Sequence, residues 1–477
     1  MKPTLHWFRR DLRLADNPAL SAARAAGGPV VAVYIHAPDD EGAGSPGAAS
    51  RWWLHHSLVA LDASLERCGN ALILRRGPPA STLLQLARAT GAKAVHWNRL
   101  HEPALAARDE RLASELAASG IEPIIHDSAL LCPPGAIRNA AGGPFRVFTP
   151  FWRRLRTRLA ELPAALPAPR RLPALDRAPM SLPLDKLQLL PAVRWDAGLA
   201  QRWQPGEAGA RRRLVRFVAA GLAHYVDARE RPGEPGTSSL SPHLHFGEVS
   251  PRQVYAALQP LSAAGSEAFL RQLGWREFAA HLLHHFPHTA SEPLDARYAG
   301  FDWRDDRDEL AAWQQGRTGF PIIDAGMHEL WHTGWMHNRV RMITASFLTR
   351  NLLMDWRAGA RWFHDTLVDA DLANNTLGWQ WAAGCGADAA PWFRIFNPVL
   401  QGRKFDPTGR YVRRWLPELA GLPDRWLHEP WAAPARLLRR DTGRWPPPLV
   451  DLAASRARAL AGFRHHLAAQ RLRSPPA

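Results

Sequence analysis

The sequence predicts an N-terminal α/β domain, with a parallel sheet and helices on both faces, followed by a larger all-α domain. Three observations support this. Short β-branched runs alternate with amphipathic stretches over the first 126 residues, eight prolines are spread over residues 161–206, and helical apolar spacing dominates from about Glu207 onward. We therefore expect an α/β domain over 1–130, a proline-rich interdomain linker over 131–206 and a helical domain over 207–470.

Nine elements are predicted in the α/β domain. The strands are Leu5–Phe8, Val30–Ile35, Ala71–Leu74, Ala94–Trp97 and Ile121–Ile125, and the helices are Pro18–Ala26, Ser50–Cys68, Ala80–Thr90 and Ala104–Ser119. Asn17 can cap the first helix, and Pro18 fits its first position. Strands that alternate with helices in this way pair in parallel. No GxxxxGK[ST] motif is present, so a P-loop is excluded.

The charge balance is strongly basic. The chain has 60 Lys and Arg against 44 Asp and Glu, a formal net charge of +16, and only four of the basic residues are lysines. Codon bias can explain arginine in place of lysine, but it does not explain the excess of bases over acids. Such an excess favours a polyanionic partner such as nucleic acid, and the planar fork of arginine suits phosphates.

Compartment and metal content follow from the cysteines and the hydropathy. Cys68, Cys132 and Cys385 are far apart and form no CxxC pair, so neither a disulfide framework nor a metal site is expected. The N-terminus does not resemble a signal peptide, and no apolar run approaches the roughly 18 residues of a spanning helix. We expect a cytoplasmic protein that does not enter a membrane.

The opening stretch LHWFRRDLRLADNPAL, Leu5 to Leu20, resembles the start of the photolyase/cryptochrome family. It combines a strand, an Arg-Asp-Leu-Arg turn and a capped helix. The resemblance continues over nearly the whole chain and is weakest in the linker and the last 30 residues. It implies a blue-light flavoprotein that binds FAD non-covalently in its helical domain.

The stretch GTSSLSPHLHFGEVSP, Gly236 to Pro251, places four hydroxyls and a glycine before an apolar helix. Taken alone it is either an anion site at a helix N-terminus or an N-cap with more hydroxyls than it needs. The resemblance implies that it holds the FAD pyrophosphate. The cofactor-binding residues implied here are Thr237, Ser238, Ser239, Leu240, Ser241 and, upstream, Tyr225.

The stretch VDADLANNTLGWQWAAG, Val368 to Gly384, contains two carboxylates two residues apart. As a bare pair they are either metal ligands or solvated turn residues. The resemblance implies that Asp369, Ala370 and Asp371 contact the flavin ring and its ribityl region and that Arg341 pairs with Asp369. It also places Asn375 beside the redox-active ring nitrogen, as in the photolyase branch.

Tryptophan is unusually frequent, with 21 residues against five tyrosines. Scattered tryptophans are ordinarily packing residues. The resemblance implies a different role for Trp379, Trp356 and Trp303, which match a chain of electron-transfer tryptophans that runs from the flavin to the surface. Indoles in a row can pass an electron hole outward because each is oxidisable.

The segment TGWMHNRVRMITASFL, Thr333 to Leu348, resembles the branch of the family that splits cyclobutane pyrimidine dimers. Asn338 and Met342 match residues that touch the flipped-out dimer, and Trp275 and Trp381 match its aromatic walls. The phosphate-contacting positions implied by the resemblance are Arg229, Arg339, Arg394 and Lys404.

One catalytic position departs from this branch. The family's carboxylate lies three residues before the tryptophan of WREF, and that residue is Gln272 here. The branch that repairs (6-4) photoproducts has Gln at this position, but it also has two histidines at the positions of Asn338 and Met342. The site is therefore of the dimer type with one substitution.

Three functions remain open at this point: a repair enzyme of the deoxyribodipyrimidine photolyase kind, a photoreceptor of the cryptochrome kind, and a DNA-binding flavoprotein that has lost its chemistry. The lesion-cavity residues favour repair of dimers in damaged DNA by a monomer, and Gln272 is the one point against it. Folate-binding relatives carry an Asn-Glu pair upstream of an Arg-Asp pair. Ala104-Leu105 occupies that place here, which disfavours a folate antenna at the usual site.

Overall fold

The computed structural model describes residues 2–259, 261, 264–389, 391–392, 394–435, 437 and 445–473. Its N-terminal part contains a five-stranded parallel sheet of order β3-β2-β1-β4-β5. The strands are β1 (Thr4–Phe8), β2 (Val30–His36), β3 (Leu72–Arg76), β4 (Ala94–Asn98) and β5 (Glu122–His126), and the helices between them are α1 (Pro18–Ala25), α2 (Ala48–Arg67), α3 (Pro79–Thr90) and α4 (Pro103–Ala118). The predicted fold class is confirmed.

Alternate residues of the central strand β2 pack into different cores. Val30, Ala32 and Tyr34 of β2 join a cluster with α1 and α2, whereas Val31 and Val33 join a cluster with α3 and α4. Both faces of the sheet are therefore covered, as expected for parallel strands with apolar residues on both sides.

The cap predicted for α1 is present. The side chain of Asn17 accepts a hydrogen bond from the Leu20 amide at 3.1 Å, and Pro18 is the first residue of the helix.

The rest of the described chain consists of helices joined by loops, with π-helical turns at Phe217–Gly221 and Phe347–Asn351. The helices are α5 (Phe148–Arg158), α6 (Ala197–Arg202), α7 (Glu207–Arg216), α8 (Tyr225–Ala228), α9 (Ser241–His245), α10 (Pro251–Leu258), α11 (Ala264–His285), α12 (Arg307–Gln314), α13 (Pro321–Thr333), α14 (Asn338–Ser346), α15 (Trp356–Thr366), α16 (Leu372–Ala383), α17 (Pro398–Phe405), α18 (Arg410–Trp415), α19 (Asp424–Leu427) and α20 (Leu452–Arg473).

The expected linker over 131–206 needs a correction, because it contains helices α5 and α6. Phe148, Phe151 and Trp152 of α5 pack in one core with Leu273 and Phe278 of α11, so this part belongs to the helical domain. The apolar residues of FTPFWRRLRTR have helical spacing, and this pattern prevails over the prolines around it. The later, proline-rich part runs along the α/β domain.

The glycines of Gly42–Gly47, between β2 and α2, have the GxGxxG spacing of dinucleotide-binding turns. Here the segment makes a domain contact instead. The amide of Ala48 donates to the Asp365 carboxylate of α15 at 2.9 Å, and a Cβ at Gly47 would collide with the Asp365 backbone. The N-terminus of α2 is therefore occupied by a side chain of the helical domain.

Buried Glu248 joins three segments of the two domains. Its carboxylate accepts hydrogen bonds from the Trp53 indole at 3.0 Å, the Ser57 hydroxyl at 2.6 Å and the Gly206 amide at 2.6 Å. Among the residues that the structure describes, no helix is both long and apolar enough to cross a membrane.

Candidate functional site

The hydroxyl-rich segment Thr237–Ser241 links α8 to α9 as an irregular turn. Its entry is tight, because a Cβ at Gly236 would collide with the carbonyl of Ala228. Ser239 has a φ of 51°, in the left-handed region that non-glycine residues rarely adopt and that clusters at binding sites. The turn is therefore held in a strained shape by its surroundings.

Hydrogen bonds fix part of this turn and leave part of it available. The Ser238 hydroxyl accepts from the Leu240 amide at 3.3 Å, and the Ser241 hydroxyl accepts from the Trp335 indole at 3.3 Å. The side chains of Thr237 and Ser239 have no hydrogen-bond partner within the described ranges. The segment thus offers free donors to an anion.

Arg341 and Asp369 form the expected ion pair. The Arg341 Nη2 lies 3.0 and 2.9 Å from the two carboxylate oxygens of Asp369, and its Nε donates to the Met336 carbonyl at 2.8 Å. Asp369 is almost fully buried, and so is the neighbouring Ala370. A buried carboxylate whose two oxygens share one guanidinium nitrogen keeps a fixed orientation, which suits a ligand donor on its other side.

Asp371 begins α16. Its Oδ1 accepts from the Asn374 amide at 2.9 Å, and its Oδ2 lies 3.8 Å from the His245 imidazole. Burial by itself would raise the pKa of Asp371, but the nearby His245 and Arg276 outweigh burial and hold that pKa well below its usual range. The carboxyl group is ionised at neutral pH.

Asn375 lies one turn into α16. Its Nδ2 donates to the Ala360 carbonyl of α15 at 3.0 Å, which fixes the direction of its amide. Tyr225 is buried against the rings of Phe217 and Phe269, and burial raises its pKa to about 12. Its hydroxyl therefore stays protonated at neutral pH and can donate a hydrogen bond.

Trp379 lies deep in the helical core. A Cβ at Gly359 of α15 would collide with its ring, so the indole packs directly on that helix. Trp356 is the first residue of α15, one turn before Gly359, and is also buried. The first two tryptophans of the expected chain therefore share one helix surface.

Trp303 lies at the edge of the same core and is partly exposed. The next residue, Arg304, donates its amide to the Leu353 carbonyl at 2.8 Å, just ahead of α15. This pairing brings Trp303 close to the start of α15. The structure gathers Trp379, Trp356 and Trp303 in one cluster that reaches the surface.

The first turn of α14 carries Asn338 and Met342 on one side. The Asn338 amide lies 3.8 Å from the Met342 sulfur, and Asn338 is exposed. On α11, Trp275 stacks on the ring of Phe148, with centroids 3.7 Å apart and planes 8° apart. Gln272, one turn earlier on α11, is partly buried and makes no hydrogen bond in the described part of the chain.

The remaining aromatic wall and the cations lie on other elements. Trp381 of α16 is partly buried, with its ring 6.4 Å from Phe396. Arg394 and Lys404 are exposed, and Lys404 lies 5.2 Å from the Phe405 ring. Exposed cations near aromatic rings suit a nucleic-acid backbone.

Arg229 and Arg339 share one acidic partner, Glu230. Arg229 lies 3.3 Å from one carboxylate oxygen, and the Arg339 Nε donates to the other at 2.8 Å. Burial would raise the pKa of Glu230, but the paired Arg339 lowers it below its usual value. These two expected phosphate contacts are thus partly neutralised.

Two family models match the chain: DNA photolyase over residues 4–170, and the FAD binding domain of DNA photolyase over residues 269–465. A deoxyribodipyrimidine photo-lyase of Agrobacterium fabrum is 46% identical over 470 residues, with 97% of each chain covered. Cryptochrome-1 of Arabidopsis thaliana is 40% identical, over 95% of this chain and 69% of that protein. The crystal structure of a bacterial class III photolyase from Agrobacterium tumefaciens superposes with a TM-score of 0.95 at 45% identity, with 98% of each chain covered.

The chain belongs to the photolyase/cryptochrome family. The expected fold and the expectation of a photolyase-type enzyme are both confirmed at family level, and the match to the FAD binding domain supports FAD as its cofactor. The residues present fit this cofactor: free hydroxyls line a strained turn at Thr237–Ser241, and the oriented carboxylates Asp369 and Asp371 lie in the same domain.

The first turn of α4 holds the residues expected at the family's antenna position. Ala104 and Leu105, in the first turn of α4, have no side-chain hydrogen-bonding groups, and Leu105 is buried. A small open cleft lies between the domains, lined by Arg10, His101, Glu102, His245, Arg276 and Asp371 among others. The absence of folate from the usual site stays a prediction.

Sequence reasoning missed two groups of side chains. Phe148 had no predicted role, although it backs Trp275. Trp331, 56% exposed, and Trp362 lie parallel at the surface, with ring centroids 6.1 Å apart and planes 5° apart. Such pairs join residues distant in sequence, so local patterns do not reveal them.

Proposed function

We propose that this protein repairs cyclobutane pyrimidine dimers in DNA, using blue light and reduced FAD. The observation that carries the proposal is the Asn338–Met342 contact at the start of α14, the residue pair of the dimer-splitting branch, in a chain 46% identical to a deoxyribodipyrimidine photo-lyase. Damaged DNA is the partner, and a monomer suffices because all of these residues come from one chain.

FAD, when bound, supplies an electron that light makes available to the lesion. The chain's own residues hold it in place. Thr237–Ser241 would bind the pyrophosphate, with Tyr225 as a further contact, and Asp369, fixed by Arg341, would accept from the flavin ring. Ala370 and Asp371 would line the ribityl region, and Asn375 would lie at the redox-active nitrogen.

The lesion leaves the base stack before its chemistry can be reached. Flipping costs a few kcal/mol and least at a damaged site. Stacking on Trp275 and Trp381 recovers about 1–3 kcal/mol per base, and Phe148 keeps the Trp275 indole from turning away. Arg229, Arg339, Arg394 and Lys404 would hold the bent backbone.

Gln272 would hydrogen-bond the dimer carbonyls in place of the usual carboxyl group. Its amide keeps a donor N–H and carries no charge to repel negative charge on the dimer. It cannot deliver a proton. We infer that repair persists with a yield lowered by a factor of about ten or less, below the full range of general-acid catalysis.

Trp379, Trp356 and Trp303 would return the oxidised cofactor to its working state by passing electrons from an external reductant. The first two indoles, Trp379 and Trp356, are buried away from water. The third, Trp303, is partly exposed and can be reached by the reductant. This step prepares the enzyme and is separate from repair.

A photoreceptor function is the second candidate, favoured by the 40% identity with Arabidopsis Cryptochrome-1. A photoreceptor would need FAD and the tryptophans but not the lesion cavity. One experiment separates the two. Purified protein is illuminated under reducing conditions with an oligonucleotide that contains one dimer, beside a dark control. The measured quantity is the fraction of the oligonucleotide that no longer contains the dimer. Splitting of the dimer into two pyrimidines in the light supports repair, and photoreduction without any splitting supports the photoreceptor.

A further inference from the structure

Arg271 lies beside the proposed lesion cavity and has no role in the site described above. On α11 it precedes Trp275 by four residues, and Gln272 precedes Trp275 by three. At about 100° per residue these two side chains flank Trp275, at about 40° on one side and about 60° on the other. Arg271 is thus at the rim of whatever space Gln272 and Trp275 line.

Phe148 connects Arg271 to the cavity wall. The Arg271 guanidinium carbon lies 4.9 Å from the centre of the Phe148 ring, and that ring stacks on Trp275. Phe148 is itself fixed, because it is buried and its amide donates to the Asp388 carboxylate at 2.6 Å. A guanidinium that rests on a fixed ring loses less freedom when it binds a ligand.

The positive charge of Arg271 is not neutralised within the described residues. No carboxylate forms an ion pair with it, and the acid one turn earlier on α11, Glu267, lies 3.2 Å from Arg156 of α5 instead. Arg229 and Arg339 differ in this respect, since both lie against Glu230. Arg271 is therefore a pre-ordered cation with its charge free.

We propose that Arg271 binds a backbone phosphate next to the flipped-out dimer and so helps to distinguish damaged from intact DNA. This inference rests on the proposed repair function. An intact duplex keeps its backbone outside the cavity, whereas flipping draws the lesion strand against the rim. The contact therefore forms only on damaged DNA, unlike a general electrostatic contact.

The test measures binding of the FAD-loaded protein to two duplexes of one sequence, with and without a single dimer, in the dark over a series of salt concentrations. Arg271→Gln should weaken binding to the dimer duplex about tenfold, lower its log–log salt slope by about one unit, and leave binding to the intact duplex within about twofold. Arg271→Lys should keep the slope. Arg297→Gln, which removes an exposed cation paired with Asp295 on another segment, is the matched control and should change neither duplex much.

Uncharged methylphosphonates placed one at a time beside the dimer locate the contact from the DNA side. When the methylphosphonate replaces the phosphate that Arg271 contacts, wild-type protein should lose affinity for the dimer duplex. The affinity of Arg271→Gln should not fall further at that position. If Arg271→Gln does not retain FAD, Arg271→Met takes its place. Equal binding by wild type and variant, or an equal loss on both duplexes, overturns the inference alone. Wild-type protein that binds both duplexes alike and splits no dimer in the light overturns the proposed function, and this inference with it.

Discussion

At the scale of single residues, the site is distinguished by what stands at position 272. The resemblance predicts lesion contacts of the dimer-splitting branch at Asn338 and Met342, whereas Gln272 brings an amide where that branch is expected to have a carboxyl group. The side chain is partly buried and is not engaged by any described residue, so it is available to a substrate. The change therefore alters proton chemistry and leaves the shape of the site nearly unchanged.

Gln272→Glu should raise the number of dimers repaired per absorbed photon, by a factor of up to about ten, because a carboxyl group can donate a proton as well as a hydrogen bond. Affinity for dimer DNA should change little, since the two side chains are nearly equal in size. The measurement compares repair yields of the two proteins with the flavin fully reduced in both. An equal or lower yield for the Glu variant would mean that glutamine is adapted to this site.

Trp379→Phe tests the electron chain one residue at a time. It removes the first oxidisable ring, and photoreduction of the flavin in the presence of an external thiol should nearly stop. Phenylalanine fits the pocket against Gly359 with one ring fewer, so FAD should stay bound. Absorption at the flavin bands under blue light follows the reaction, with Trp313→Phe as the control for loss of another buried indole of the same core. Undiminished photoreduction in Trp379→Phe would require a different electron path.

At the scale of elements, the sequence predicted most of what local chemistry determines. The five strands and four helices of the α/β domain follow from apolar periodicity, and the α1 cap follows from Asn17 and Pro18. Helix α5 was missed because surrounding prolines suggested a continuous linker. Its packing on α11, through Phe148 and Trp275, is a tertiary contact that no local pattern encodes.

The candidate site divides in the same way. The resemblance identified residues that the structure gathers, such as the ion pair of Arg341 with Asp369. It gave no information on Glu230, which partly neutralises Arg339, or on the free charge of Arg271. Charge pairing depends on which side chains meet across helices, and that is decided by the assembled fold.

Helices α13, α14 and α18 meet at a buried carboxyl group, and this junction should make stability depend on pH. Glu329 of α13 accepts from the Tyr411 hydroxyl at 2.7 Å and from the His337 amide at 3.1 Å. Burial raises its pKa to about 7, despite these hydrogen bonds. In the unfolded chain its pKa is near 4.5. Between about pH 4.5 and pH 7 the folded state therefore keeps a proton on Glu329 that the unfolded chain has lost.

The sign follows from this difference. The contribution of Glu329 to stability is fully present below about pH 4.5 and is lost as the pH rises through about 7. Glu329→Gln, which cannot ionise, should therefore show a smaller fall in the free energy of unfolding between pH 5 and pH 8 than wild type. Urea unfolding at the two pH values measures the difference, and an unchanged fall would assign the pH dependence to other groups.

At the scale of the whole molecule, hydrogen bonds between buried or capping groups join the two domains. Glu248 of the helical domain accepts hydrogen bonds from α2, and Asp365 of α15 bonds the first residue of α2. The α/β domain thus supports α15, the helix on which Trp379 packs.

Tight, non-covalent FAD should co-purify with the intact chain, and a colourless preparation after gentle lysis would contradict the proposed site.

The net charge of +16 is the property of the whole molecule that bears most directly on its partner. Each phosphate contact that releases a counterion contributes close to one unit of log–log salt slope on duplex DNA. If Arg339, Arg394 and Lys404 each neutralise one phosphate, binding to dimer DNA should fall with a slope of about three as salt is raised, with Arg229 and Arg271 adding to it. Intact DNA should bind more weakly at every salt concentration, because only a lesion flips at low cost into the space between the aromatic walls.

Fluorescence anisotropy on labelled duplexes in the dark gives the salt slopes for dimer DNA and for intact DNA. Lys404→Gln should lower the slope on dimer DNA by about one unit, whereas Arg297→Gln, a cation already paired with Asp295, should leave it unchanged. If the affinity for dimer DNA does not change from low to moderate salt, the positive charge does not contribute to DNA binding.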